Sequence, residues 1–437
     1  MKTYQLNSMS IKQRQVLLKR PALDNKLELS SKVSGIISQV RDGGDQAIKD
    51  LTLKFDQANI KKLKVTEQEF EYAENAVSDK ARLAILQAIS NVTAFHSAQI
   101  PEGISLETSP GILCRQEFRP IEKVGLYVPG GSAPLISTVV MLAVPAMIAA
   151  CNLKILCTPP SKDGKIDPHI LLAAKLTGIT EVFKVGGAQA IAAMAYGTES
   201  ITKVYKIFGP GNSWVTEAKQ QVAQDPDGAI CDMPAGPSEV LVIADKDAKP
   251  SFVAADLLSQ AEHGADSQSI ILTDCQELAE KVKQELTVQL TKLSRNEIAQ
   301  SSLTKGRIII CKDIEEAFSV SNEYGPEHLI VQTKNANAWS TKITNAGSVF
   351  LGPWSPESVG DYASGTNHVL PTYGYSKAVS GLSLNSFLKT ITFQQLSQEG
   401  LLNIGPTVET LADIEGLDAH KNAVSLRLQE IRKVYSS

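Results

Sequence analysis

Val124-Gly125-Leu126-Tyr127-Val128 is a short apolar run that stops at Pro129-Gly130-Gly131-Ser132 and opens into a long apolar segment. A strand that ends at glycine or proline and feeds a helix is the start of a βαβ unit. Leu153-Lys154-Ile155-Leu156, Val182-Phe183-Lys184-Val185 and Val204-Tyr205-Lys206-Ile207 repeat the pattern. Their separation, roughly 20–30 residues, leaves room for one crossover helix each. A second series begins at Glu239-Val240-Leu241-Val242-Ile243 and continues through Ser269-Ile270-Ile271-Leu272, Arg307-Ile308-Ile309-Ile310 and His328-Leu329-Ile330-Val331. Two α/β sheets are therefore expected in succession. A break is expected near residue 237, where Asp232-Met233-Pro234-Ala235-Gly236-Pro237-Ser238 combines two prolines with a glycine.

Working outward, residues 28–96 carry apolar stripes at helical spacing, among them Val33, Ile36, Ile37 and Val40, then Leu83, Ile85, Leu86, Ile89 and Val92. The first 23 residues contain no acid and carry Lys2, Lys12, Arg14, Lys19 and Arg20. Their composition is weakly like that of an organelle transit peptide, but no apolar secretory core accompanies them, and they read as an N-terminal arm. Leu401, Leu411, Ile414 and Leu417 mark an appended helical segment at the other end. The run from Leu135 to Cys151 is apolar but contains Ser137, Thr138 and Pro145, and it reads as a buried helix rather than a membrane span.

At 437 residues the chain exceeds what one hydrophobic core usually supports. Hydrophobic residues make up 43% and charged residues 21%, which excludes a disordered or fibrous class. Lys plus Arg number 43 against 47 Asp plus Glu, so a net charge of -4 offers no footprint for nucleic acid or an anionic membrane. A small-molecule partner and a cytoplasmic setting follow as expectations. Cys114, Cys151, Cys157, Cys231, Cys275 and Cys311 lack paired short spacings and read as reduced thiols.

Four of the six histidines fall among acids and amides in the C-terminal half. Gly360-Asp361-Tyr362-Ala363-Ser364-Gly365-Thr366-Asn367-His368 places a carboxylate and an imidazole in what reads as a polar loop. Gln260 and His263 sit at a helix end before Gly264, three residues apart, where both can face one ion. Glu327-His328 stands at the entrance to a strand and can divide acid and base labour if the loop turns both toward one pocket. That is the amino end of the strand, whereas ligands in open α/β sheets favour the carboxyl end. Asp361, His368 and His420 could complete a nitrogen-and-oxygen set with Gln260 and His263, suited to zinc and similar ions. Glu415 and His420 lie in a tail where a histidine is most often just solvated. Ligands this far apart can only be gathered by the fold.

Three glycine turns at strand-to-helix junctions could hold a pyrophosphate on exposed backbone N–H groups. They are Pro129-Gly130-Gly131-Ser132, Val185-Gly186-Gly187-Ala188-Gln189 and Phe208-Gly209-Pro210-Gly211-Asn212. Trp214 stands where the dinucleotide fingerprint wants Gly or Ala, so the signal is an incomplete Rossmann fingerprint or a set of ordinary βα turns. Cys231 precedes the proline-glycine break, but nothing nearby in sequence lowers a thiol pKa, and a structural role is expected.

Six ordered motifs together resemble the histidinol dehydrogenase family from about residue 20 to the C-terminus. They are Tyr127-Val128-Pro129-Gly130-Gly131, Gly209-Pro210-Gly211-Asn212, Asp232-Met233-Pro234-Ala235-Gly236-Pro237-Ser238-Glu239, Gln260-Ala261-Glu262-His263-Gly264, Gly325-Pro326-Glu327-His328-Leu329 and Ser364-Gly365-Thr366-Asn367-His368. Phe208 and Trp214 flank the second motif where smaller or more variable residues are expected. The resemblance implies two successive NAD-dependent oxidations of L-histidinol, through L-histidinaldehyde to L-histidine, the last step of histidine biosynthesis. It implies Gln260, His263, Asp361 and His420 as zinc ligands. Ser238, His328, His368 and Glu415, together with the four zinc ligands, are the implied substrate contacts, and Tyr127, Gln189 and Asn212 the NAD contacts.

Glu327 and His328 are the implied catalytic pair. His328, uncharged near pH 7, would take the alcohol proton, and Glu327 would draw a proton from the water that hydrates the aldehyde. Zinc would act as a template for substrate nitrogens.

The fold implied is α/β, with two Rossmann-like (incomplete) α/β domains, an N-terminal helical arm and a C-terminal helical tail, in an intertwined homodimer. Its parts would be an arm over residues 1–23 and a main α/β domain over 24–128 with 238–380, carrying the zinc and substrate site. An α/β domain over 129–237 would contribute the NAD site, and a tail over 381–437 would reach the partner subunit, so Glu415 and His420 would act in trans. The competing readings are a zinc-dependent hydrolase using Glu327 to activate water and a non-enzymatic zinc-stabilised binding protein.

Overall fold

The computed structural model describes residues 1–20, 26–130, 134–233 and 236–436. Residues 21–23 of the arm, Gly131 and Ser132 of the first glycine turn, and Pro234 and Ala235 of the expected break lie outside the described residues.

All the runs named above as strands are strands. Lys123–Tyr127, Leu153–Thr158, Glu181–Lys184 and Lys206–Phe208 belong to one five-stranded sheet, completed by Ile230–Cys231. Numbered along the chain, its strands lie side by side in the order 3-2-1-4-5, all parallel. The fourth starts two residues later than expected, because the Val204 N–H is taken by the Met194 carbonyl at the end of the preceding helix.

Glu239–Ala244, Gln268–Thr273, Arg307–Ile310, His328–Gln332 and Ser348–Leu351 repeat the same parallel 3-2-1-4-5 order in a second sheet. A sixth strand, Lys2–Gln5, joins its edge beside Arg307–Ile310. The sequence reading of the N-terminal arm names no strand there. Helix Ile11–Leu18 follows, capped by the Ser10 hydroxyl and Gln13 side chain.

Both sheets are built by burial on two faces. Glu239–Ala244 and Gln268–Thr273 are buried at every residue, which is why they read as unbroken apolar runs rather than alternating ones. Val240, Val242, Ile271, Ile308 and Ile330 pack into the core on one face, and Leu241, Ile243, Ile270, Leu272, Ile309 and Leu329 into the core on the other. Each such side chain contributes ~1.5–3 kcal/mol of burial. Helix Ile136–Ile148 is buried from Thr138 to Ala146, so the apolar run that contains it is core. Among the described residues no helix is long and apolar enough to cross a membrane. All six cysteines carry free thiols.

Contacts divide the chain into two compact units. The first holds residues 1–99 and 121–387, including both parallel sheets. The second holds residues 100–120 and those from 388 onward. Its sheet is antiparallel, Leu388–Leu396 beside Ile112–Pro120 beside Ile104–Ser109, and its helices Gln398–Ile414 and Asp418–Ser436 pack on each other. The tail is thus a strand followed by two helices, not helices alone. Its strand partner lies far upstream in the chain, beyond the reach of a local pattern.

Candidate active site

At the amino edge of the six-stranded sheet, the central strand Glu239–Ala244 lies beside His328–Gln332. Gly325 ends the preceding helix, Ile314–Tyr324, in the left-handed conformation at φ +64°. Pro326 follows, and the chain enters the strand with Glu327 and His328 both buried. The Glu239 N–H donates to Glu327 Oε2 at 2.7 Å, and His328 Nδ1 lies 3.2 Å from the Glu239 carbonyl. The only proton available to that contact is the one on Nδ1, so Nδ1–H donates, and in the neutral ring Nε2 carries the lone pair.

His328 is ringed by acids. Its Nδ1 stands 3.7 Å from Glu327 Oε2 and 3.6 Å from Glu357 Oε1, and its Nε2 stands 3.5 Å from Asp361 Oδ1. Burial works against charge on the ring, yet Glu357, Glu327 and Asp361 outweigh it and hold the imidazole well above its ordinary pKa. Burial pushes Glu327 up to about 8 against the pull of His328. Burial also raises Glu357, while Asp361 is held below the usual carboxylate range because His328, His368 and His263 outweigh its own burial. The expectation of an uncharged His328 near neutral pH thus meets three carboxylates that retain its proton. A divalent cation held beside Asp361 would oppose that proton by direct repulsion.

The donor set fits such a cation. One ligand atom each from His328, Glu357 and Asp361 lie within 4.8 Å of one another. Both amide atoms of Gln260, wholly enclosed in the last turn of helix Pro250–Ala261, have no hydrogen-bond partner. His328 Nε2 and Glu357 Oε2 are likewise buried and unpartnered. With His328 kept as a base, the His263 imidazole and the Asp361 carboxylate on the cavity wall and the unsatisfied Gln260 amide are the ligand types of a zinc-like ion.

The run from Gly360 to His368 is only partly the polar loop expected. Gly360, Asp361 and Tyr362 end a short helix, Glu357–Tyr362, and Asn367 is core, donating to the Met141 carbonyl at 2.7 Å. His368 turns back, with Nδ1–H donating to the Asp361 carbonyl at 2.8 Å and Nε2 3.4 Å from the Thr138 hydroxyl. Burial holds His368 below its ordinary pKa, which keeps it neutral. His263 is exposed just past the helix end, and desolvation by its surroundings still lowers it.

Ser238, His263, Glu327, His328, Asp361 and His368 line one cavity of about 1740 Å³ in the first unit, with Gln260 enclosed away from its surface. Glu415 and His420 belong to the second unit and are exposed there. Glu357 was not named from the sequence. Its signal was available, since it precedes Asp361 by four residues and so shares its helix face.

The same cavity is walled by Tyr127, Gln189 and Asn212, at the carboxyl ends of the five-stranded sheet. This is the switch point where 3-2-1-4-5 sheets bind nucleotides. Gly209 sits at φ +124°, and a Cβ there would come within 2.1 Å of the Tyr127 carbonyl oxygen, so only glycine permits the turn. Asp232 accepts from the Gly209 N–H at 2.8 Å, and Lys219, paired with Asp232, donates to the Gly209 carbonyl at 2.9 Å. Tyr127 Oη accepts from the Gly187 N–H at 3.0 Å, and Asn212 caps helix Ser213–Gln224. Glycine turns held open at these strand ends fit a dinucleotide, and the cavity exceeds the ~300–1,000 Å³ usual for one small ligand. Burial raises the Cys231 thiol to about 12, and its sulfur donates to the Lys219 carbonyl, so it offers no thiolate.

Comparison with known proteins agrees along the whole chain. The family profile described as histidinol dehydrogenase matches residues 18–428. A histidinol dehydrogenase of Vibrio parahaemolyticus is 54% identical over 99% of this chain and 99% of its own. A putative histidine biosynthesis bifunctional protein HisCD of Photorhabdus laumondii is 55% identical over 95% of this chain, which spans 51% of that longer protein. The crystal structure of histidinol dehydrogenase from Elizabethkingia anophelis superposes with a TM-score of 0.95 at 49% identity, covering 99% of both chains.

Proposed function

Since the chain belongs to the histidinol dehydrogenase family, we propose that it oxidises L-histidinol to L-histidinaldehyde and then to L-histidine, using NAD twice and a bound zinc ion. The observation that carries this reading is the single cavity shared by the glycine-turn wall and the buried Glu327-His328 cluster. Family membership removes the zinc hydrolase and the non-enzymatic binding protein from consideration. Supplied with histidinol and NAD, the purified protein should produce two NADH per histidinol; one or none sinks the two-step reading.

Bound NAD supplies the hydride acceptor, and zinc a divalent centre that orients the substrate's nitrogens. The residues that would hold the ion are Gln260, His263, Asp361 and, from the tail, His420, while Tyr127, Gln189 and Asn212 would meet the cofactor. Ser238, His368 and Glu415 would position the substrate alongside the metal set. His328 Nε2, 3.5 Å from Asp361 Oδ1, takes the alcohol proton from the neutral state of the ring as the carbon is oxidised. Glu327, raised toward working pH by burial, is a stronger base than an exposed glutamate. It draws a proton from the water that adds to the aldehyde. Once its first proton has passed to solvent, His328 accepts the hydroxyl proton of the hydrate in the second oxidation.

The domain division drawn above is kept as part of this proposal. Residues 24–128 with 238–380 would carry the substrate and zinc, and 129–237 the cofactor.

We also propose a homodimer. Ile104, Leu106, Leu411, Ile414 and Leu426 of the second unit are each more than half exposed, which supports burial against another copy. Glu415 and His420 lie in that same unit and would serve the partner's site. Mixing His420→Ala with Gln260→Ala subunits should restore about one intact site per hybrid dimer; no recovery on mixing argues for sites within one chain.

The orphaned amide of Gln260 yields a separate expectation. Gln260→Met should lose retained zinc yet stabilise the metal-free protein by about 1–3 kcal/mol, because a buried polar group without partners is removed. Metal content and the melting of chelator-treated protein measure the two effects. A less stable metal-free variant would contradict the assignment of that amide to an ion.

A further inference from the structure

Glu239 contributes no side chain to the chemistry above, yet its peptide holds both proton-moving groups. Its N–H grips the Glu327 carboxylate at 2.7 Å, and its carbonyl fixes the His328 tautomer at 3.2 Å. The position of that one peptide therefore sets where both groups point. It sits at the first residue of the central strand, where the ladder that locks the strand interior has only just begun.

The Glu239 side chain is held by Arg20. The guanidinium grips the fully buried Glu239 carboxylate with two donors, Nε to Oε1 at 2.5 Å and one terminal nitrogen to Oε2 at 2.8 Å. Two of its three remaining hydrogens reach the Tyr324 and Gly325 carbonyls, each at 3.2 Å, and its Cζ lies 3.8 Å from the centroid of the Tyr324 ring. The Tyr373 N–H adds a third donor to Glu239 Oε1 at 3.3 Å. Gly325 stands two residues before Glu327. The same guanidinium thus ties together the two chain segments that enter the site, the start of one strand and the turn leading into its neighbour. A planar fork can satisfy two carboxylate oxygens and two carbonyls at once, and a lysine cannot.

We propose that Arg20, through its ion pair with Glu239, is a positioning residue for Glu327 and His328 in both oxidation steps. Arg20 is not among the residues that line the cavity, and it lies in a segment whose basic residues read as an N-terminal arm. The inference rests on the reading of Glu327 and His328 as the proton-moving pair. That reading is tested separately by the NADH yield of the unaltered enzyme.

The test uses the full-length protein with Arg20→Met, Glu239→Gln and the double variant, assayed with histidinol and with histidinaldehyde. Loss of an outer partner that orients a metal ligand lowers activity roughly 10–100-fold, and a fall of that order is expected for a partner that orients a proton-moving pair. The expected result is such a fall in kcat for both steps in each single variant, with KM for histidinol and NAD within about two-fold of the parent. The double variant should be no worse than either single one, since both break one linkage. Arg20→Lys should recover only part of the loss, because charge returns without the fork. Unchanged kcat in Arg20→Met, losses confined to KM, or losses that multiply in the double variant would each overturn the proposal. If Arg20→Met does not fold, Arg20→Lys with Glu239→Asp decides by the same kcat, KM and additivity criteria.

Discussion

Glu327→Gln is expected to stall the enzyme after one oxidation. The amide keeps the length of the side chain and an oxygen that can still accept from the Glu239 N–H, so the cluster is not dismantled. It loses the carboxylate that takes a proton from water. General-base assistance is worth about 10²–10⁴-fold, and aldehyde oxidation should fall by that much while alcohol oxidation changes by less than about tenfold. Burial raises Glu327 above the ordinary carboxylate range, so its ionised form is a stronger base than an exposed glutamate, and the amide is no base at all. A single-turnover experiment reads this directly, as one NADH formed quickly and a second very slowly. Equal losses in the two steps would refute the assignment of Glu327 to hydration.

His328→Asn should cripple both steps together. The side chain sets Nδ1 on the Glu239 carbonyl and Nε2 3.5 Å from Asp361 Oδ1, in the cavity wall. Asparagine can retain a hydrogen bond to that carbonyl but offers no basic nitrogen, so kcat should fall about 10²–10⁴-fold in each oxidation. Binding should suffer less, because His263, Asp361 and His368 still line the cavity. Steady-state kinetics with histidinol and with histidinaldehyde supply the comparison. A loss confined to one step would mean that a different group handles the proton in the other.

These two residues also show how unevenly the site is written in the chain. Glu327 and His328 were legible as adjacent acid and base before a strand, and Asp361 and His368 as a close pair in a polar run. Their encounter was not legible, because Glu327 and Asp361 stand 34 positions apart and meet only when two strands and a short helix are laid side by side. Glu357 was hidden by its ordinary context, a glutamate at the start of a helix after a proline, where most such residues face water. Glu239 was unreadable for a different reason. Its contribution to the pair is a backbone N–H and a carbonyl, which every residue but proline possesses, so no side-chain pattern could single it out.

Placement at the sheet edge reverses the usual expectation in one half of the site only. The cofactor turns lie at carboxyl strand ends, as 3-2-1-4-5 sheets favour. Glu239 and His328 lie at amino strand ends of the second such sheet. One cavity takes its walls from the carboxyl edge of one sheet and the amino edge of the other.

The sequence by itself determined the two α/β sheets, since runs such as Arg307–Ile310 are apolar enough to be buried on both faces and are punctuated by glycine and proline. It also determined the reduced cysteines, the buried helix after Tyr127 and the family. Only the tertiary structure decided that Lys2–Gln5 is a strand, that Arg20 reaches Glu239, and that His328 stands among three carboxylates. Local patterns report which face of an element is buried. Pairings across hundreds of residues depend on which buried faces meet, and that is set by packing the whole chain at once.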